Sequence, residues 1–149
     1  MNRPVLVLAS AAALVVPVLT LVPSATADDG GRPFTVALTG AAERPGPGDP
    51  DGSGTATLRL NPGQEEVCFT LTVENIGLPA TGAHIHVGDV ETFGPVVVGL
   101  TPSDVTGTSS GCVTADRDLL RSILRNPDSY YVNVHTSAFP AGAVRAQLG

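Results

Sequence analysis

The sequence predicts an all-β fold, an antiparallel Greek-key β-sandwich of about eight strands with one short helix near residues 116–125. Short runs alternate apolar and polar residues, which is the period of a strand with one buried face. Turn-forming residues, among them 17 Gly and 13 Pro in the whole chain, separate these runs at regular intervals. Only one stretch has helical spacing. Short, evenly spaced strands with turn signals between them are typical of a sandwich.

The first 27 residues are predicted to be a Sec-type signal peptide rather than part of the fold. A positive start and a long run of Val, Leu and Ala precede Ala25-Thr26-Ala27, which is a cleavage pattern. An uncleaved membrane anchor is the alternative, since the apolar run is nearly long enough to span a bilayer. Two prolines interrupt that run. We therefore expect residues 28–149 to be one secreted domain without a membrane span.

Alternation defines the first three strands. At 34–39 apolar residues alternate mostly with threonines, and an exposed loop of Gly, Pro, Asp and Ser follows at 44–54. The strand at 55–60 alternates in the same way. Asn61-Pro62-Gly63 then turns the chain into the strand at 67–73, so these two strands are predicted to form a hairpin.

Five further strands complete the predicted sheet, at 83–88, 95–100, 111–115, 130–136 and 143–148. The predicted helix lies between the third and fourth of these. Its apolar residues recur on one face, because they are spaced at i, i+1, i+4 and i+5. Asp116 can cap its first amides and Pro127 ends it.

The composition excludes several classes of function. The formal net charge is −6, and all eight basic residues are Arg. An acidic chain without a basic cluster is a poor candidate for binding nucleic acid. Because the chain has only two Cys and three His, iron–sulfur clusters and Cys-rich zinc modules are excluded.

Cys68 and Cys112 are predicted to form a disulfide. Export would place them in an oxidising compartment, where an isolated pair of cysteines is expected to be joined. A metal thiolate or a reactive cysteine is the alternative.

The three histidines are predicted to lie on outer faces of the sheet. At 83–87 the apolar residues occupy alternate positions, so His84 and His86 share the opposite face. At 130–135 two valines face inward and His135 faces outward. Arg145 faces outward from the last strand by the same reasoning.

Two histidines at i and i+2 can bind one metal ion, and a third from a neighbouring strand would complete a site for copper or zinc. This prediction requires the strands of His84, His86 and His135 to be neighbours. Alternatively, the exposed His and Tyr side chains only hydrogen-bond to one another and to loop backbone. Asp89 is predicted either to orient an imidazole or, as is commoner, to be a turn residue.

Four motifs resemble the CHRD domain, the chordin-type module of extracellular proteins. They are GAHIHVG at 82–88, FGPVV at 93–97, YVNVHT at 131–136 and PAGAVRAQL at 140–148. Glu43, after the first strand, also fits the opening pattern of the family, whereas Ala146 stands where the family often has Gly. The resemblance covers about 34–148 and implies a β-rich extracellular module with an unidentified extracellular partner.

A more distant similarity is to the copper half of Cu/Zn superoxide dismutases. It implies that His84, His86 and His135 are copper ligands and that Arg145 attracts a small anion such as superoxide. With three histidines, the bridging His and the zinc subsite of that family cannot be present.

The sequence therefore predicts an exported CHRD-domain binding or structural module with a three-His site for copper or zinc. The alternatives are a copper-only, superoxide-dismutase-like oxidoreductase and a metal-free extracellular interaction domain. We prefer the module to the enzyme because copper catalysis requires an open ligand position as well as ligands.

Overall fold

The computed structural model describes residues 31–149, so the predicted signal peptide lies outside the described residues. Within them, eight strands and one α-helix confirm the predicted all-β class. The strands are β1 (Arg32–Thr39), β2 (Ser53–Asn61), β3 (Glu66–Glu74), β4 (Gly82–Val87), β5 (Val96–Leu100), β6 (Thr108–Thr114), β7 (Tyr130–His135) and β8 (Val144–Gln147). The helix α1 is Arg117–Arg125, and two 3₁₀ turns lie at Gly40–Ala42 and Pro127–Ser129.

All eight strands belong to one antiparallel sheet that is nearly barrel-shaped, in the order β5-β4-β7-β8-β1-β2-β3-β6. Strands β1, β2 and β3 are successive neighbours, as the predicted hairpin requires. Connections from β3 to β4, from β5 to β6 and from β6 to β7 cross between distant parts of the sheet, as in Greek-key folds. This order places β4, β7 and β8 side by side, although long segments of chain separate β4 from β7.

Alternate side chains of the strands form one apolar core. The largest apolar side chains that are almost completely buried are Leu38, Leu58, Leu60, Leu71, Ile85, Leu120, Ile123, Val67, Val132, Val134 and Val144. Two of these come from α1, which packs its apolar face on the core as predicted. Asp116 caps α1 by accepting hydrogen bonds from the amides of Asp118 and Leu119.

The predicted disulfide is present. Cys68 in β3 lies directly opposite Cys112 in β6, and the two side chains are bonded. The bond fastens the edge strand β6 to the sheet. Among residues 31–149, no helix is long and apolar enough to cross a membrane.

Candidate metal centre

The pairing of β4 with β7 brings the three histidines together. In this register His84 lies opposite Asn133, and Gly82 lies opposite His135. The ring centroids are 5.0 Å apart for His84 and His135, 5.5 Å for His84 and His86, and 6.1 Å for His86 and His135. One nitrogen from each ring lies within 4.8 Å of the other two. The strands β4 and β7 are therefore neighbours, which the predicted three-His site requires.

Backbone carbonyls fix two of the three rings. His86 Nδ1 lies 2.8 Å from the carbonyl oxygen of Gly94, and His135 Nδ1 lies 3.1 Å from that of Pro140. Since a carbonyl can only accept a hydrogen bond, each Nδ1 carries a proton, and in the neutral form of either ring Nε2 keeps a lone pair. Within the described part of the chain, both Nε2 atoms and His84 Nδ1 are buried and have no hydrogen-bond partner. Each ring therefore has one buried nitrogen available as a ligand.

The surroundings favour the neutral form of His84 and of His135. Burial is the main reason that the pKa of His84 lies below its usual value, and the nearby rings of His135 and His86 lower it further. Burial also lowers the pKa of His135, with a smaller effect of His86 in the same direction, against the Pro140 hydrogen bond, which raises it. Neutral imidazole is the form that binds metal ions.

The structure corrects the predicted exposure of this side of the sheet. The side chains of Tyr131, Asn133 and Arg145 lie on the face opposite the core, yet each is at most 2% exposed, and His86 is 8% exposed. The segment between β4 and β5, residues 88–95, contacts His86, Tyr131 and Arg145 and covers them. Glu43 lies against Asn133. Alternation predicted the face correctly but could not show that a connecting segment covers it.

Arg145 holds that covering segment in place. Its Nη1 donates to the Thr92 carbonyl at 2.8 Å, and its Nη2 donates to the Asp89 carbonyl at 2.6 Å and to Gln147 Oε1 at 3.2 Å. Gln147 adds a bond from Nε2 to the Gly88 carbonyl at 2.7 Å. Two neighbouring side chains of β8 therefore bind three carbonyls of the 88–95 segment.

Tyr131 connects Arg145 to the histidines. Its ring stacks on His86 with centroids 4.8 Å apart, and the guanidinium carbon of Arg145 lies 3.5 Å from the centre of the same ring. Two groups at these separations must occupy opposite faces of the phenol ring. The Tyr131 hydroxyl also accepts a hydrogen bond from the Gly94 amide at 3.1 Å, while the Gly94 carbonyl binds His86. Gly94 cannot carry a side chain, because a Cβ there would overlap the Val87 carbonyl oxygen.

These contacts bear on two of the predicted roles. Asp89 contributes a backbone carbonyl to Arg145, and its carboxylate accepts the Glu91 amide at 3.0 Å, which is the behaviour of a turn residue. Arg145 is 1% exposed, and its guanidinium is bound to carbonyls and stacked on Tyr131. Its role in attracting an anion stays a prediction, and its position favours a structural role.

Glu43, for which the sequence predicts no role in a site, lies beside this network. Its carboxyl is 3% exposed, and burial raises its pKa to about 7, against the opposing effects of Arg145, the Arg44 amide and the Asn133 side chain. Asn133 is paired with His84 on one side and with Arg145 on the other. The only sequence signal for Glu43 was its fit to the opening pattern of the family, which does not show that it is buried.

A second cluster consists of residue types that can bind a metal ion: Glu66, Cys68 and Cys112. Its two sulfurs are joined in the disulfide, so they cannot act as thiolate ligands. Among the described residues, the three histidines are therefore the stronger metal-binding candidate.

Comparison with known proteins agrees with the motifs. The family model of the CHRD domain matches residues 34–148. No curated protein and no solved structure shows a significant match. Because the family model covers well over half of the sequence, the chain belongs to the CHRD domain family.

Proposed function

We propose that this protein is a secreted CHRD-domain binding module in which His84, His86 and His135 hold one copper or zinc ion. The observation that carries this proposal is a cluster of three imidazoles in which one nitrogen of each ring lies within 4.8 Å of the other two. Each ring also has a buried nitrogen without a hydrogen-bond partner within residues 31–149. A buried polar atom without a partner is costly, and a metal ion satisfies three such lone pairs at once.

The donor set fits both metals. Imidazole nitrogen is a good ligand for copper and for zinc, and a three-His site leaves a further position for water or a partner group. The hydrogen bonds from His86 to Gly94 and from His135 to Pro140 are of the kind that orient metal-binding histidines in proteins. The ion would add a local positive charge and an electron-pair acceptor to this part of the surface.

Secretion is supported by two independent features. A disulfide persists in an oxidising compartment, and Cys68 and Cys112 form one. Residues 1–27 have the composition of a signal peptide, with a cleavage pattern at its end.

Metal analysis tests this proposal. We expect the purified protein, loaded with Cu(II) or Zn(II) and dialysed, to retain one equivalent of metal. His86→Ala removes one of the three ligands and should reduce retention to the background. Thr70→Ala, an exposed change on β3, is the matched control and should retain one equivalent. Circular dichroism checks that both variants are folded. Equal retention by His86→Ala and the native chain would contradict the metal site and favour a metal-free interaction domain.

The same nitrogens would also suit a copper-dependent, superoxide-dismutase-like oxidoreductase. The structure offers less support for this function, because the guanidinium expected to attract superoxide is buried against Tyr131 and bound to the carbonyls of Asp89 and Thr92. Copper-loaded protein that removes superoxide no faster than the same copper in buffer would eliminate it.

A further inference from the structure

Other parts of the chain contact the three histidines from three directions. The 88–95 segment binds His86, and the segment after β7 binds His135, each through a backbone carbonyl. On the β7 side, the buried Asn133 lies opposite His84. The remaining neighbour of His84 in the sheet is β5, which pairs with the other side of β4 and is the last strand at this edge.

Strand β5 presents no side chain to His84, because the residue directly opposite is Gly99. Gly99 is exposed, and a Cβ built on it would meet no atom of a non-adjacent residue within 4 Å. Its neighbours Val98 and Leu100 are buried in the core, so the open space at Gly99 lies on the outer face, as His84 does. Side chains directly opposite each other on paired strands are neighbours. The space beside the His84 ring is therefore open on the β5 side.

Packing explains a second glycine beside His84 but does not explain Gly99. A Cβ on Gly82 would come within 2.9 Å of His84 Cε1, so a side chain is excluded there. Gly99 has neither such a contact nor a positive φ, and the register shift between the two strands lies at Ile85 and His86. Neither packing nor backbone conformation therefore requires glycine at position 99.

The surroundings of this opening indicate the chemistry of a ligand that would enter there. A glycine within a strand often marks the close approach of a ligand. Val96, which lies opposite His86 in the same pair of strands, is 50% exposed, so the edge beside the opening is apolar. The formal net charge of −6 disfavours an anion. Neutral imidazole is flat and uncharged, and it offers a nitrogen that suits both copper and zinc.

We propose that Gly99 keeps open the approach to the His84 side of the centre, and that an imidazole enters there to bind the metal as a fourth ligand. This inference rests on the proposed metal site and names the ligand class that the site takes. The imidazole belongs either to a histidine side chain of a partner or to a free small molecule, since both present the same ring to the opening.

The test is a titration of the copper-loaded protein with imidazole at pH 8, where the neutral form of an imidazole prevails. Visible absorption of Cu(II) changes when nitrogen replaces a water oxygen, so we expect a saturable change. Gly99→Val should weaken imidazole binding about tenfold or more, because its side chain fills the opening, and should still retain one equivalent of copper. Ser110→Val places the same side chain at an exposed position of the other edge strand and should bind as the native chain does.

A second arm distinguishes the two sources. Binding of both imidazole and Nα-acetyl-histidine methylamide supports a histidine side chain of a partner, whereas binding of imidazole alone supports a free small molecule. If the native chain retains copper but shows no saturable change with either ligand, this inference is overturned while the metal site stands. Equal imidazole affinity in a folded Gly99→Val variant overturns it in the same way. A native chain that retains no copper overturns the metal site itself, and this inference with it.

Discussion

The outer side of the sheet has two parts that differ in what covers them. The open face, formed by β2, β3 and β6, carries threonines and the disulfide, and β3 alternates between buried and exposed residues along most of its length. The covered face, formed by β4, β7 and β8, carries the histidines, Tyr131 and Arg145. In β7 the first five residues are all buried, whichever face they occupy.

The difference shows what a connecting segment does to a sheet. Where no segment covers the outer face, threonines remain in contact with solvent and need no fixed partner. Where residues 88–95 cover it, polar side chains are removed from water and must find partners. Carbonyls of that segment are the partners of His86, Arg145 and Gln147, so the polar atoms left unpartnered there are few and informative. Within residues 31–149 they are nitrogens of the three histidines and oxygens of Glu43 and Asn133, and the hydroxyl of Ser103 is a further unpartnered atom elsewhere.

The largest effect on stability is expected on the open face. Replacing both Cys68 and Cys112 with Ala should lower the free energy of unfolding by about 4 kcal/mol, because the disulfide closes a loop with a separation of 44 residues. Urea denaturation measures this change. Metal retention by the folded variant should be unchanged, since the disulfide belongs to the open face. Loss of metal from a variant that remains folded would show that the two faces are coupled.

The titration of Glu43, which lies beside the covered face, is expected to change the free energy of unfolding by about 3 kcal/mol as the pH changes. The pKa of Glu43 is raised from 4.5 to about 7 on folding, so the folded state holds its proton more tightly than the unfolded chain. The free energy of unfolding should therefore fall as the pH rises from about 4.5 to about 7.

Glu43→Gln should remove this fall, so the variant gains stability relative to the native chain between pH 4 and pH 8. Urea denaturation at several pH values measures the difference, and Glu91→Gln serves as the exposed control. Parallel curves for the native chain and Glu43→Gln would show that burial does not raise this pKa.

The smallest of these effects, about 1–2 kcal/mol in stability, is expected for Arg145→Lys. Lysine keeps the charge but cannot bind two carbonyls and stack flat on Tyr131, so the 88–95 segment should loosen. Because that segment supplies the Gly94 carbonyl to His86, metal affinity should fall by about tenfold or more. Competition with a chelator measures the affinity. Arg121→Lys, in an exposed pair on α1, should change neither quantity. Unchanged metal affinity in Arg145→Lys would show that the way Arg145 holds the 88–95 segment does not influence metal binding.

Local pattern was enough to predict most of the fold. Period-two alternation placed all eight strands close to their observed positions and put His84, His86, His135 and Arg145 on the face opposite the core. The helix was predicted at 116–125 and begins one residue later, because Asp116 is its cap. The disulfide followed from the expected compartment, and the family followed from four motifs in order.

The tertiary structure decided the rest. That β4 pairs with β7, that residues 88–95 cover Tyr131 and Arg145, and that Glu43 is buried against Gly142 all depend on contacts between residues far apart in the chain. Alternation arises from the geometry of one strand and its immediate neighbours, so a sequence displays it directly. Which strands become neighbours, and which segment lies over them, is set by the packing of the whole sheet. The sequence by itself therefore determined the strands, their faces and the candidate ligands, and the tertiary structure decided that those ligands meet in a buried site.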